Sequence, residues 1–508
     1  MKSAITKLFV GLCLIGTNAQ AQDYKYDLPI KEHIFENGLR LLVIERPGDK
    51  RVASKIWTDM GALNEIPGEY GSAHYLEHLM FKGTQTLGAD DWEKEKPLID
   101  EINDTEKLLI AELNRSRNAI RERGVFHDYK NAETTPELIR LQKHIDDLEE
   151  QVEDITTEGT TMKWYQGFGG TKLTAVTEQE FMHFDIDLPA NRVEIFLRIE
   201  ADRMTNTIFR KFDAERMILV EQRIGFLNQL PSRYMEAMDA LVGRTSNVYI
   251  PEGYMSDFKN YTRVYERYLY DTYFIPNNTT LIFVGGVTMD EMIPKVEKYF
   301  GGLERKPEPM RYYGQEPLPS GEKRLTYRDD KLTPRIELRY QIPGVGHPDR
   351  PNFDVVMEAV GNRLQKQLGD QNLSRNVNSN TLVVHTSIYG LPSSMHFAAL
   401  NGDPSKLDAI EKAMLSEIEN LSNNSITNEE LKFAQKTLRS KWYRLASDPN
   451  ALSNYIGHFE VMDSWKTLKP YLEARDKTTA EDVRRLVEQY FSEVNRSIGR
   501  VLPKEKRK

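Results

Sequence analysis

The chain has 508 residues, of which 39% are hydrophobic and 29% charged, and its formal net charge is −9. This length exceeds what one hydrophobic core usually supports, so we expect a globular protein with two or more domains. The acidic balance, without a concentrated basic patch, gives no support to nucleic-acid binding. No segment beyond the first 21 residues approaches the twenty apolar residues of a membrane span.

The first 21 residues read as a secretory signal peptide. Two lysines precede the apolar stretch LFVGLCLIG, and the segment ends in Ala-Gln-Ala at residue 21. A membrane anchor is the alternative, but about nine apolar residues cannot span a bilayer. Cys13, the only cysteine, lies in this segment, so the mature chain would have no disulfide and a formal charge of −11. We therefore expect a periplasmic or secreted protein.

Strand and helix patterns alternate in the first half of the chain. Asn37-Gly38 is a hairpin turn signal, and the apolar run after it predicts a strand. Apolar runs predict further strands at 52–60 and 277–286, and the pattern at 290–299 predicts a helix. Together they indicate an N-terminal domain over residues 22–304.

A polar stretch with four prolines, residues 305–323, predicts a linker. Beyond it, predicted strands at 335–341, 381–388 and 395–400 alternate with amphipathic helices at 353–368 and 406–421. The fold class is therefore α/β (α+β), with a second, similar domain over residues 324–508. No sequence repeat relates the two halves.

Residues 89–160 have a different pattern. Their apolar positions step by four and seven before Pro136 and by three and four after it, as heptad seams do: Leu98, Ile102, Leu109, Leu113 and Ile120, then Leu138, Leu141, Ile145, Leu148, Val152 and Ile155. The pattern predicts an antiparallel helical hairpin inserted in the first domain. A substrate gate and a peripheral insertion are both compatible with it; we favour the insertion and expect that it can be deleted without unfolding the protein.

The stretch AHYLEHLMFKGT, residues 73–84, places two histidines and a glutamate within five residues. On a helix, His74, Glu77 and His78 share one face. Imidazoles at i and i+4 can hold one zinc ion, and Glu77 could accept the proton of the attacking water. The order H-x-x-E-H is the inverzincin signature. A polar helix face with two ordinary histidines is the alternative.

Several separated motifs resemble the zinc peptidases of the pitrilysin and mitochondrial processing peptidase family. They are NGL at 37–39, Gly61, GSAHYLEHLMFKGT at 71–84, DAERMILVEQR at 213–223, and PNN at 276–278 with VG at 284–285. The likeness covers nearly the whole mature chain, with the hairpin as an insertion. It implies two similar domains that enclose a chamber. It also implies that the chain is a zinc endopeptidase that cuts short or unfolded polypeptides inside this chamber.

The same resemblance implies roles for individual residues. His74 and His78 would bind Zn²⁺, and Glu77 would be the general base. Shorter family members often work as pairs of chains, so we expect a homodimer or a related partner chain besides the peptide substrates. Where members usually show Asn-Ala on the substrate strand, this chain has Thr174-Ala175, which removes an amide hydrogen-bonding group.

The second departure from the family pattern concerns the third zinc ligand. In the family a downstream helix carries two glutamates seven residues apart, of which the later binds zinc and the earlier supports the site. Glu215 matches the earlier position, but Gln222 stands seven residues on. A π-bulge could bring the neighbouring Glu221 to the metal, whereas a straight helix would present the neutral oxygen of Gln222. The function correspondingly stays open between an active zinc endopeptidase and a weak or inactive partner subunit.

Overall fold

The computed structural model describes residues 26–124, 135–157, 159–229, 231–243, 250–311, 317, 319–373, 382–386 and 393–504. The predicted signal peptide, residues 1–21, lies outside the described residues. Within the described ranges, no helix combines the length and the apolar character needed to cross a membrane.

The N-terminal domain is built on a six-stranded sheet. Its strands are β1 (Ile30–Ile34), β2 (Arg40–Glu45), β3 (Arg51–Thr58), β4 (Thr171–Thr177), β5 (Met182–Pro189) and β6 (Thr279–Gly285). They lie in the order β1-β2-β6-β3-β5-β4, and only β2 and β6 pair in parallel among these strands. Gly38 has a φ of +89° in the turn between β1 and β2, which confirms the predicted hairpin.

The second sheet repeats this topology. Its strands are β7 (Lys323–Arg328), β8 (Arg335–Ile342), β9 (Leu382–Thr386), β10 (Ser393–Leu400) and β11 (Arg496–Leu502), in the order β7-β11-β8-β10-β9. Numbered within each domain, the strands of this sheet and β2 to β6 of the first both follow the order 1-5-2-4-3, with the first and fifth strands parallel. The prediction of two similar domains is confirmed, and β1 is an addition to the first.

Helices cover both sheets. In the first domain they are α1 (Ser72–Met80), α2 (Trp92–Glu122), α3 (Pro136–Asp154), α4 (Thr160–Gly167), α5 (Val193–Asn206), α6 (Phe212–Asn228), α7 (Ser232–Val242), α8 (Arg263–Tyr273) and α9 (Met289–Phe300). The second domain adds α10 (Arg350–Asp370), α11 (Leu407–Asn423), α12 (Asn428–Ser447), α13 (Pro449–Met462), α14 (Leu468–Lys477) and α15 (Ala480–Tyr490).

The two faces of the first sheet pack against different partners. One face forms the main core of the N-terminal domain with α1, α5, α6, α8 and α9. The other face, with Trp57 and Ile282, packs against Ile456 and Phe459 of α13 and against α12 and α14. A Cβ atom at Gly457 would overlap the Trp57 ring, so α13 approaches the strands where it has no side chain. The two domains therefore share a core.

The predicted hairpin is present as α2 and α3. Glu101 contacts His144 and Glu112 contacts Thr135, so the two helices run antiparallel. At its base, however, the hairpin is tied into the domain. Its seam residues pack around Ile208, which follows α5. These contacts weigh against a detachable insertion, and the expectation that residues 89–160 can be deleted without unfolding the protein stays a prediction.

The buried charge at the base is Glu95, whose side chain is fully enclosed. Both of its oxygens accept hydrogen bonds from the guanidinium of Arg210, at 2.5 and 2.9 Å. Arg210 also donates to the carbonyl oxygens of Thr84 and Leu87. The pair thus fixes the start of α2 to the segment between α5 and α6, 115 residues away along the chain.

Glu95→Ala should destabilise the protein by about 3–5 kcal/mol, because it leaves the Arg210 guanidinium buried without its carboxylate. Glu101→Ala is the matched control on the same helix, since its carboxylate is exposed and contacts only His144 in the described structure; its effect should stay below about 1 kcal/mol. Urea unfolding followed by circular dichroism compares the two variants. Equal stabilities would rule out an anchoring role for Glu95.

Candidate metal and peptidase site

The packing of helix α1 fixes the direction of its polar face, which carries the residues of the candidate site. Gly71, with a φ of +99°, precedes its first residue. The carboxylate of Glu65 accepts hydrogen bonds from the backbone N–H groups of Gly71, at 2.8 Å, and Ala73, at 2.7 Å, and so caps the helix start. Leu76 and Leu79 are completely buried in the core. The opposite face of α1 therefore presents His74, Glu77 and His78.

The two histidines lie against each other. Their ring centroids are 4.9 Å apart and the ring planes meet at 79°. Burial, and then the neighbouring His78, lower the pKa of His74 to about 4, while the Pro251 carbonyl opposes this shift. His74 Nδ1 is nevertheless buried without a hydrogen bond of good geometry among the described residues. His74 is thus a neutral imidazole, the form that binds metal ions.

The orientation of His78 is set by Glu215, which lies on α6. Glu215 Oε2 is 3.2 Å from His78 Nδ1, and Glu215 Oε1 is 2.5 Å from the ammonium group of Lys82. Burial would raise the pKa of Glu215, but the hydrogen bonds from His78 and Lys82 bring it below its ordinary value. An ionised carboxylate on Nδ1 leaves Nε2 of His78 available as a ligand atom.

Glu77 is oriented by Thr177, the last residue of β4. The hydroxyl of Thr177 donates a hydrogen bond of 2.6 Å to Glu77 Oε2. Burial raises the pKa of Glu77, and the bond from Thr177 opposes this shift. A buried carboxyl held at one oxygen keeps its other oxygen free to exchange a proton.

The strand β4 lies beside α1 at the edge of the sheet. It pairs with β5 on one side, and no described strand pairs with its other side. The ladder is irregular between Thr171 and Thr174, where Lys172 has a φ of +57°. Thr174 is exposed, with its hydroxyl 3.4 Å from the Ala175 carbonyl, and the Ala175 side chain packs on the core. The backbone groups of this edge strand are therefore available to an added strand.

The third ligand position is not filled by an acidic residue. The helix α6 is α-helical from Phe212 to Asn228, without the π-bulge considered above. Glu221 and Gln222 are both exposed. No cluster of three His, Cys, Asp or Glu side chains that could hold a metal ion occurs among the described residues. The structure brings His74, Glu77, His78 and Glu215 together and does not bring Glu221 to them.

Sequence reasoning missed two members of this site. Lys82 lies four residues after His78, a spacing that could have suggested it. Thr177 lies three residues after Thr174 on β4, but its contact with Glu77 spans 100 residues of sequence. No local pattern predicts such a pairing.

An H-x-x-E-H helix beside the free edge of a sheet, in one of two domains with the same topology, defines the inverzincin class of peptidase folds. Comparison with known proteins agrees with this class. Residues 40–97 match the family described as insulinase (peptidase family M16), and residues 267–438 match the peptidase M16 inactive domain. The chain belongs to peptidase family M16, the pitrilysin family that its motifs resemble.

Relatives match most of the chain. It is 21% identical over 490 residues to the zinc protease PqqE of Helicobacter pylori, covering 95% of this chain and 94% of that protein. The crystal structure of a protease from Helicobacter pylori matches with a TM-score of 0.73 at 19% identity, over 93% of this chain and 99% of that one. The periplasmic protease PqqL from Escherichia coli matches with a TM-score of 0.69 at 15% identity, over 94% of this chain and 48% of that one. These structural matches establish the two-domain fold.

Thr177→Val should lower the kcat of peptide hydrolysis by about tenfold to a hundredfold, because it removes the hydrogen bond that orients the Glu77 carboxylate. The valine keeps the shape of the side chain, so KM should stay nearly unchanged. Thr177→Ser is the matched control and should retain most of the parent rate, since it keeps the hydroxyl. Steady-state kinetics on a fluorogenic peptide measure both, and equal rates for the two variants would exclude a positioning role.

Proposed function

We propose that this chain is a periplasmic or secreted zinc-dependent endopeptidase that hydrolyses short or unfolded polypeptides. The observation that carries the proposal is the placement of Glu77 on the same helix face as two histidines in contact, with Thr177 and Glu215 holding the set. Structural histidines do not need this arrangement, because two imidazole rings gain little from close contact with each other. A metal ion gives them a common partner.

The donor set fits zinc at two positions. His74 is neutral, and Glu215 engages the Nδ1 atom of His78, which is the usual support of a metal-binding imidazole. The third protein ligand would be the side-chain oxygen of Gln222, since seven residues of a straight helix return it to the face of Glu215. Zinc held there would polarise the scissile carbonyl and make the attacking water easier to deprotonate.

The residues of the chain itself would supply binding and proton transfer. An extended peptide would add to the free edge of β4 through backbone hydrogen bonds, which favours loose sequence specificity. Thr174 provides a hydroxyl in place of the family's amide at this edge. Glu77, oriented by Thr177, would accept the proton of the attacking water and pass it to the leaving amine.

A catalytically weak or inactive subunit is the second candidate function. It is favoured by one observation, that an amide stands where the family has the zinc-binding carboxylate. A neutral oxygen binds zinc more weakly than a carboxylate does. In that case the chain would bind peptides at the β4 edge and act beside a second copy of itself or a related partner chain. Zinc content and peptide hydrolysis separate the two functions.

Glu77→Gln should lower kcat by about 10²–10⁴-fold, because an amide can neither accept the proton of water nor pass it on. Zinc content, measured by mass spectrometry of the purified protein, and the circular dichroism spectrum should not change. A variant that cleaves a mixed peptide library as fast as the parent would show that Glu77 is not the base. A parent that holds zinc but cleaves nothing would favour the partner-subunit function.

The third ligand is tested by exchanging charge on α6. If Gln222 faces the metal, Gln222→Glu should tighten zinc binding at least tenfold and raise kcat, because it supplies an anionic ligand. Glu221→Ala is the matched control on the next residue and should leave both unchanged. Zinc affinity is measured by competition with a chelator. Loss of zinc in Glu221→Ala, with no effect of Gln222→Glu, would instead assign the metal to Glu221.

A further inference from the structure

A cavity of about 740 Å³ lies between the helical hairpin and the body of the N-terminal domain. The hairpin contributes an apolar wall of Leu109, Ile110 and Leu113. Phe212 and Val220 of α6 form the facing wall. Neither histidine of the peptidase site lines it. Its volume lies within the range of pockets that hold small organic ligands or short peptide segments.

Most charged groups that line this cavity already have partners. Arg216 pairs with Asp213 at 2.5 Å, and Glu106 accepts hydrogen bonds from the backbone N–H of Arg263 at 3.0 and 3.1 Å. The guanidinium of Arg263 contacts Glu149. Two more basic residues, Arg117 and Lys259, also carry interactions. The exception among the described lining residues is a carboxyl oxygen at one place.

That place is Glu69, in the loop before α1. Its Oε2 atom is buried and has no hydrogen-bond partner among the described residues. Burial, and then the neighbouring Asp257, raise the pKa of Glu69 to about 8, with no cation opposing the shift. The oxygens of Asp257 are engaged by the hydroxyl of Ser256 and by the N–H of Tyr70. Glu69 therefore places an acceptor oxygen without a donor in the lining of the cavity.

Two further buried carboxyl groups interact electrostatically with Glu69. Burial, above all, raises the pKa values of Glu65 and Glu266 well above their ordinary range, and Glu69 adds to the rise in both. Both side chains are buried. A cation that donates to the free Glu69 oxygen would favour the ionised form of this carboxyl group, because it supplies the opposite charge whose absence keeps the pKa of Glu69 raised.

We propose that this cavity binds a primary ammonium or guanidinium group on an apolar stem, with the cation on Glu69 and the stem against Leu109, Ile110 and Leu113. The cation gives the Glu69 oxygen the donor that it lacks, and the stem covers half-buried aliphatic side chains. The same chemistry is offered by a lysine or arginine side chain of a peptide and by a small aliphatic amine. The site is distinct from the peptidase site and does not depend on it.

Ligand binding here would act on the support of α1. Phe212, in the cavity wall, accepts a hydrogen bond from the Tyr75 hydroxyl through its carbonyl. Tyr261, also in the wall, stacks on the Tyr75 ring with the centroids 5.1 Å apart. Tyr75 is the residue between His74 and Leu76 on α1. A ligand that packs on these residues should therefore raise the melting temperature of the domain.

The test is isothermal titration calorimetry on the full mature chain with three probes: n-hexylamine, n-hexanol and the capped dipeptide Ac-Leu-Lys-NH₂. We expect saturable binding of at least one amine probe, and at least tenfold weaker binding of n-hexanol. Glu69→Gln should weaken the amine at least tenfold, because it keeps the shape and removes the carboxyl group that can ionise against the bound cation. Glu101→Gln, which makes the same substitution at an exposed position of α2, should leave binding unchanged.

The source of the ligand follows from which amine binds. Binding of the dipeptide alone supports a peptide site, binding of n-hexylamine alone supports a small-amine site, and binding of both supports the shared chemistry. Leu113→Trp, which narrows the cavity at its apolar wall and leaves the Glu69 side chain unchanged, should also weaken binding and guards against misfolding of the Glu69 variant. Absence of binding by both amines, equal affinity for n-hexanol, or unchanged binding in Glu69→Gln would overturn the proposal.

Discussion

The fixed position of α1 is the constraint on which the rest of the site depends. Leu76 and Leu79 hold the helix in the core, while Glu65 satisfies the N–H groups at its start. Because a helix turns about 100° per residue, anchoring one face fixes where the opposite face points. Glu215 and Thr177 then need only reach fixed positions on His78 and Glu77. They come from separate elements, and each adds one hydrogen bond to a helix that is already placed.

Much of this fold could be predicted from local patterns. The turn at Asn37-Gly38, the helix of the H-x-x-E-H motif and the alternation of strands and helices in both halves follow from turn chemistry and periodicity. The pairing of Glu95 with Arg210 could not, since its partners lie 115 residues apart and no repeat connects them. The same holds for the contact between Thr177 and Glu77. Long-range polar contacts between different elements leave no periodic trace in a sequence.

Helix geometry explains the departure at the third ligand. Glu221 lies one residue before the position seven residues after Glu215, where the family has its ligand. One residue along a helix is a rotation of about 100°. Regular α-helical hydrogen bonding through α6 leaves no extra residue to absorb that rotation. With Gln222 as the third ligand, the proposed zinc site would have one negative charge fewer than the family pattern implies, and Lys82 already pairs with Glu215. A change of one side chain would thus alter the charge that balances a divalent cation in the proposed site.

The core shared by the two domains limits how the chain can be divided. Trp57 and Ile282 of the first sheet are covered by α13, which belongs to the second half of the sequence. Cutting the proline-rich stretch at 305–323 would break the backbone without separating the halves, because their apolar contact would persist. The N-terminal half produced alone would expose one whole face of its sheet to water, and so favour aggregation. The two domains should therefore unfold together, although the topology is that of two units.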